Sequence, residues 1–143
     1  LICEPWSRRQ APATGYDGKW GLPWCLALLL TDGAVTVESF EADPRAEVTA
    51  LARRMDWVAM DDHGFPDRFA ARIEVETVAG RHRAEVSSVL GGSGRPVPGE
   101  VIRAKFRANA ARRLSPPAVD RLEAALLGLA EAPDLSALTA ELA

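Results

Sequence analysis

The sequence predicts an α+β fold in two layers, a small antiparallel sheet packed on one face by helices. Three observations predict it. Apolar residues recur at helical spacing over most of the chain. Across residues 71–86 the period drops to two on both sides of a Gly-bearing turn. Proline and glycine fall where helices start and stop rather than inside them. The chain of 143 residues shows neither repeats nor an interdomain linker, so residues 1–143 read as one domain with room for one core.

In chain order, Leu1, Ile2 and Cys3 read as the tail of a strand, and residues 5–18, with Pro5, Pro12, Gly15 and Gly18, as a loop. A helix follows, with Gly21 as N-cap and Pro23 in the first turn. It is apolar on every side through Leu30, which predicts burial on most faces, and Gly33 suits its left-handed cap. Residues 36–40 predict a helical turn. Asp43-Pro44 predicts the cap and first position of an amphipathic helix carrying Val48, Leu51, Ala52 and Met55. Residues 57–60 predict a short strand. Ala71, Ile73 and Val75 then alternate with Arg72, Glu74 and Glu76; beyond Gly80, His82, Ala84 and Val86 alternate with Arg83 and Glu85. That pattern predicts a hairpin with one wet face. Three helices complete the chain: one starting at Pro98 with Ile102, Phe106 and Ala110 inward, one capped by Ser115-Pro116 with Val119, Leu122, Leu126 and Leu129 inward, and a short one capped by Asp134.

The composition is that of a globular protein, 48% hydrophobic and 26% charged. A net charge of −3 argues against a dedicated nucleic-acid binder. The longest apolar run, residues 20–30, is broken by Gly21 and Pro23, falls short of a membrane span, and has no charged region before it. Cys3 and Cys25 are too few for a disulfide framework and read as small buried hydrophobes. These features predict a soluble, cytoplasmic protein. The chain opens on Leu1 rather than Met, which we take as the mark of a fragment or processed piece.

Few constellations carry chemistry. Asp61, Asp62 and His63 suggest a metal site, but three or four ligands are needed and the only other histidine is His82, so a solvated loop is the better reading. His82 reads as a core or edge histidine rather than an acid–base group. The Gly91-Gly92-Ser93-Gly94-Arg95 loop precedes a helix yet lacks phosphate-binding spacing, so it reads as a connection whose Arg95 could meet a carboxylate. Arg103, Lys105, Arg107, Arg112 and Arg113 read as a solvated basic face, with no interleaved aromatics for single-stranded nucleic acid. Arg8 and Arg9 read as surface residues or a carboxylate clamp. No nucleophile–base pair can be assembled, so the chain looks catalytically incomplete.

Two segments together carry a resemblance. GKWGLPWCLALLLTDG (residues 18–33) resembles the A-K-F-S-L-P-Y-x-x-A-x-A-L-x-D-G helix of the MmgE/PrpD family, the 2-methylcitrate dehydratase-like proteins. PVPGEVIRAKF (residues 96–106) resembles that family's N-P-L-S-x-E-E-L-x-x-K-F helix start. The helix after Asp43-Pro44 and the hairpin fall between them in the family's order.

The resemblance implies that residues 1–143 are the α+β C-terminal domain of a longer protein, whose all-helical N-terminal domain is absent from this chain. It implies a parent, commonly homodimeric, that acts as a lyase or isomerase on small di- or tricarboxylic acids, without an organic cofactor or metal. The acid–base residues would lie outside this chain, so no catalytic residue is carried over and the chain alone would be inactive. Lys19 and Trp20 fall at the family's Lys/Arg–Phe/His pair beside the interdomain cleft, and Lys19, Arg8, Arg9 and Arg95 become candidates for holding carboxylates. Trp20, Gly21 and Trp24 depart from the usual Phe or His, Ser and Tyr; where relatives use a His, Trp20 cannot act as acid or base. The implied partners are a small carboxylic acid and the chain's own helical domain, with neither nucleic acid nor membrane. The alternatives are a free-standing binding or interaction module, and an anion- or nucleic-acid-contacting domain that uses the basic helix.

Overall fold

The structure is a computed structural model that describes residues 4–92 and 94–142. The fold is α+β: among the described residues, seven α-helices accompany one two-stranded antiparallel sheet. The chain divides into two compact units, residues 1–60 and 61–143. The expected strand tail at residues 1–3, and with it the burial of Cys3, lies outside the described residues.

The first unit holds α1 (Trp6–Gln10), α2 (Gly15–Gly18), α3 (Leu22–Asp32), a 3-10 turn (Glu38–Phe40) and α4 (Ala46–Ala52). Residues 5–18 are therefore not a loop throughout. The reason is tertiary: side chains of α1 reach carbonyls at the end of α4 and just beyond it. Trp6 Nε1 donates to the Met55 carbonyl at 3.0 Å, and Gln10 Nε2 donates to those of Ala52 and Met55 at 3.1 and 2.9 Å. Two side chains four residues apart reach one target only if a helical turn puts them on the same face. In α2, the Thr14 hydroxyl accepts from the Asp17 N–H at 3.1 Å. A Cβ on Gly15 would sit 2.2 Å from the Ala42 carbonyl oxygen, and one on Gly18 would sit 2.5 Å from Trp24 Cδ1. Only glycine allows α2 to lie this close to its neighbours.

Helix α3 starts after Gly21, carries Pro23 in its first turn and ends at Gly33, whose φ of 78° is left-handed and whose N–H donates to the Leu29 carbonyl. The expected burial on most sides is not observed. Pro23, Trp24, Ala27 and Leu28 are buried, while Leu29 and Leu30 are about half exposed, because the seven-residue α4 covers one face only. The core of this unit is Trp24, Ala27 and Leu28 against Val48 and Ala52, with Phe40, Leu51 and Met55 packed around them. Asp43-Pro44 does not cap α4. The residue before the helix is Arg45, whose guanidinium donates to Asp32 at 2.6 Å and ties the start of α4 to the end of α3. Residues 57–60 form no strand; Trp57 instead lies 6.4 Å from the Trp6 ring.

The second unit holds β1 (Ala71–Thr77) and β2 (Gly80–Val86), paired from Ala71↔Val86 to Thr77↔Gly80, as the period-two pattern predicts. One face is a ladder of Arg72–Glu85, Glu74–Arg83 and Glu76–Arg81 pairs across the strands, with Arg72 and Glu85 bonded at 2.9 Å and Arg81 bonded to Glu76. On the other face only Ile73 and Val75 are half-buried and β2 is exposed along its length, so the expected inner face of the sheet is thin. His82 is exposed there, opposite Val75.

Helices α5 (Gly99–Ala110), α6 (Pro116–Leu127) and α7 (Ser136–Ala140) follow, with a 3-10 turn at Leu129–Glu131. Asp134 does not occupy the cap of α7, which is Leu135; one residue earlier, its carboxylate accepts from the Ser136 hydroxyl and from the Ser136 N–H at 2.8 Å, which hold it below the usual carboxylate range. Of the inward positions expected on α5, Phe106 and Ala110 are half-buried, whereas Ile102 is exposed. Helix α6 ends at Leu127, so Leu129 lies on the 3-10 turn and Leu126 is exposed. Val119 and Leu122 are buried.

The third buried position of α6 is Glu123, 6% exposed. Arg103 donates to it at 3.1 Å, and Arg107 donates to both Glu123 and Asp120. The bond from Arg107 first, and that from Arg103 second, hold the Glu123 carboxyl at about 2, against an ordinary value of 4.5. A carboxyl depressed on folding adds stability that is complete above its unfolded value and fades as the pH falls toward its folded one. The second unit should therefore lose stability between about pH 4.5 and pH 2. Glu123→Gln should be less stable at pH 7 and show a shallower acid slope, both read by circular dichroism. Parallel acid slopes would place the pH dependence elsewhere.

Candidate functional site

Four of the five candidate residues lie in the first unit. Lys19 directly follows α2, is exposed, and carries its ammonium 4.9 Å from the centre of the Tyr16 ring. Trp20 is 52% exposed, a large apolar side chain next to that cation. The segment then turns at Gly21, where a Cβ would meet the Arg9 carbonyl oxygen at 2.7 Å, so the main chain of α1 abuts the turn that follows Lys19 and Trp20. Arg8 and Arg9 are carried on α1, which Trp6 and Gln10 anchor; Arg9 Nε donates to the Glu4 carbonyl at 3.2 Å.

Arg95 belongs to the second unit. Its main chain closes a tight loop, accepting from the Gly91 N–H at 2.7 Å and donating to the Gly92 carbonyl at 3.0 Å. Its guanidinium donates to the Ser88 carbonyl at 3.3 Å. The basic helix α5 is partly self-neutralised, since Arg103 and Arg107 meet Glu123.

The first unit also carries an open groove of about 420 Å³, floored by Trp24 and Leu28 and edged by Asp32, Glu38, Asp43 and Arg45. Arg45 is committed to Asp32 at 2.6 Å and Glu47 at 3.6 Å. With three carboxylates on its edge, the groove repels anions.

Other reactive side chains are quiet. Cys25 is half-buried with its thiol toward the Gly18 carbonyl at 3.6 Å, and burial pushes its pKa up, away from a reactive thiolate. His63 accepts from the Phe65 N–H at 2.9 Å. Among the described residues no group of three or more His, Cys, Asp or Glu side chains could hold a metal ion, and no helix is long and apolar enough to cross a membrane.

Two partnerships escaped the sequence reading although their signals were present. Tyr16 and Lys19 are three residues apart, the spacing at which helical side chains meet. Glu123 falls on the apolar stripe of α6, four residues beyond Val119, where a charge requires partners.

An α+β chain with this helix and hairpin in order fits the family that the two motifs resemble. The family model of the MmgE/PrpD C-terminal domain matches residues 2–130, most of the chain. The chain belongs to that family. No curated protein matches it.

Proposed function

We propose that this chain is the C-terminal domain of an MmgE/PrpD-type lyase or isomerase acting on small di- or tricarboxylic acids, and that it contributes binding rather than chemistry. The observation that carries this reading is the family match over residues 2–130. Lys19 supports it as an exposed cation set over the Tyr16 ring, next in sequence to Trp20 and to the turn that abuts α1. Chemistry of this class removes a proton α to a carboxylate, then eliminates or reprotonates. It needs a base poised near neutral pH and cations that hold the carboxylates and the developing enolate-like charge. In the first unit Lys19, Arg8 and Arg9 fit the holding role; Arg95, in the second unit, is a separate candidate for it. The base is sought in the helical domain of the parent, in which this chain covers the cleft.

The half-exposed Leu29 and Leu30 near the end of α3 suit a face on which that helical domain docks. We read the parent as a cytoplasmic homodimer. The same exposed face is the one feature that favours the alternative, a free-standing interaction module.

Titration of this chain with citrate at low ionic strength tests the binding role. Loss of one cation from a partly exposed carboxylate site costs about 1 kcal/mol, or roughly fivefold in affinity. Lys19→Gln should therefore weaken citrate binding about fivefold, and added salt should weaken it further. Unchanged affinity in Lys19→Gln would remove Lys19 from the site.

A further inference from the structure

We propose that Tyr16 is a positioning residue for the Lys19 ammonium, holding it on one face so that its remaining N–H groups are presented to an anionic ligand. The inference rests on the binding role given to Lys19 above. The Lys19 Nζ lies 4.9 Å from the Tyr16 ring centroid, within the range at which a ring quadrupole attracts a cation. Tyr16 is 62% exposed, so its ring contributes little to any core, and it stands under the Lys19 ammonium.

The local fold fixes this geometry. Thr14 caps α2 through the Asp17 N–H, and Gly15 and Gly18 set the helix hard against the main chain at Phe40 and Ala42 and against the Trp24 ring. The turn that carries both Tyr16 and Lys19 is therefore anchored through the glycines that precede each of them. A free lysine stem samples many rotamers, and a ligand must freeze them. A ring that already holds the ammonium removes part of that cost and leaves the charge intact. The ligand class, a small carboxylate, is that of the reading above; the ring-held ammonium meets it as a compact point charge.

The chain contains only two lysines, Lys19 and Lys105, which makes the test direct. Reductive methylation with 13C-formaldehyde labels both side chains, and the second serves as an internal reference. In the 143-residue chain without ligand, the Lys19 methyl signal should be displaced upfield of the Lys105 signal by the Tyr16 ring current. Tyr16→Phe should retain the displacement and Tyr16→Leu should abolish it. Citrate affinity of the unmethylated proteins should fall about two- to fivefold in Tyr16→Leu and stay near wild type in Tyr16→Phe. A Lys19 signal that is not displaced, or an affinity that falls equally in both variants, overturns the positioning role. Displacement lost in Tyr16→Leu with citrate affinity unchanged overturns it as well. If Lys19→Gln leaves affinity unchanged while the displacement is present, it is the binding role of Lys19 that fails.

Discussion

Gly15→Ala is expected to destabilise the first unit by about 1–3 kcal/mol or more, the cost of forcing atoms into occupied space. The direction is not obvious from helix propensity, since alanine ordinarily improves a helical position by about 0.5–1 kcal/mol over glycine. Here the added Cβ would meet the Ala42 carbonyl oxygen at 2.2 Å and that of Phe40 at 2.7 Å. Both obstacles are main chain, which cannot rotate aside as a flexible side chain would, so the clash outweighs the propensity gain. Gly99, the first residue of α5, has nothing within 4 Å of its would-be Cβ, and Gly99→Ala should be neutral or slightly stabilising. Urea unfolding reads the first variant cleanly because all four tryptophans, Trp6, Trp20, Trp24 and Trp57, lie in the first unit. Circular dichroism serves for the second. A Gly15→Ala protein as stable as wild type would contradict the close approach of α2 to residues 40–42.

Trp24→Ala carries the second large effect. Trp24 is 2% exposed and is the largest member of the α3–α4 core. Truncating a buried tryptophan costs about 3–5 kcal/mol in lost transfer energy and cavity formation. A unit of this size holds a total of only about 3–9 kcal/mol, so the variant should be largely unfolded at 25 °C or melt far below wild type. Trp24→Phe separates two contributions. The Trp24 indole N–H is buried without a hydrogen-bond partner, a deficit of about 1–3 kcal/mol in the folded state. Phenylalanine keeps most of the apolar volume and removes the orphaned donor, so its loss should be much smaller than that of alanine. Equal losses in the two variants would mean that the ring is not the centre of this core.

The particular elements show what a sequence of this kind discloses. The α3 helix, its Pro23 start and its Gly33 end were legible because each depends on a few adjacent residues and on the backbone angles they allow. The hairpin was legible for the same reason, since a change of period is a local property. Helices α1 and α2 were not. They exist because Trp6 and Gln10 reach carbonyls more than forty residues away, at Ala52 and Met55, and because Gly15 fits against Ala42. Proline and glycine in that stretch gave a loop signal that tertiary anchoring overrode. The strand expected over residues 57–60 failed in the opposite way: its residues have strand propensity, but among the described residues no strand pairs with it, and β-propensity without a neighbour has little force.

The candidate site was legible in part. Lys19 and Trp20 came from the motif at residues 18–33, within a chain now placed in the MmgE/PrpD C-terminal domain family. The Tyr16 ring under the ammonium and the acidic edge of the groove emerged only from the fold. The groove matters for what it excludes. Asp32, Glu38 and Asp43 make it a poor host for a dicarboxylate, in contrast to the surface where the exposed Lys19 ammonium stands over the Tyr16 ring.

The central claim is that this chain binds a small carboxylic acid and does not transform it. The most direct measurement is the proton NMR spectrum of 2-methylcitrate mixed with the 143-residue chain at low ionic strength, followed over hours. The account predicts that the ligand resonances broaden, that they broaden less with Lys19→Gln, and that no olefinic product signal grows in. Product formation by the chain alone, or a spectrum unaffected by the protein, would contradict it.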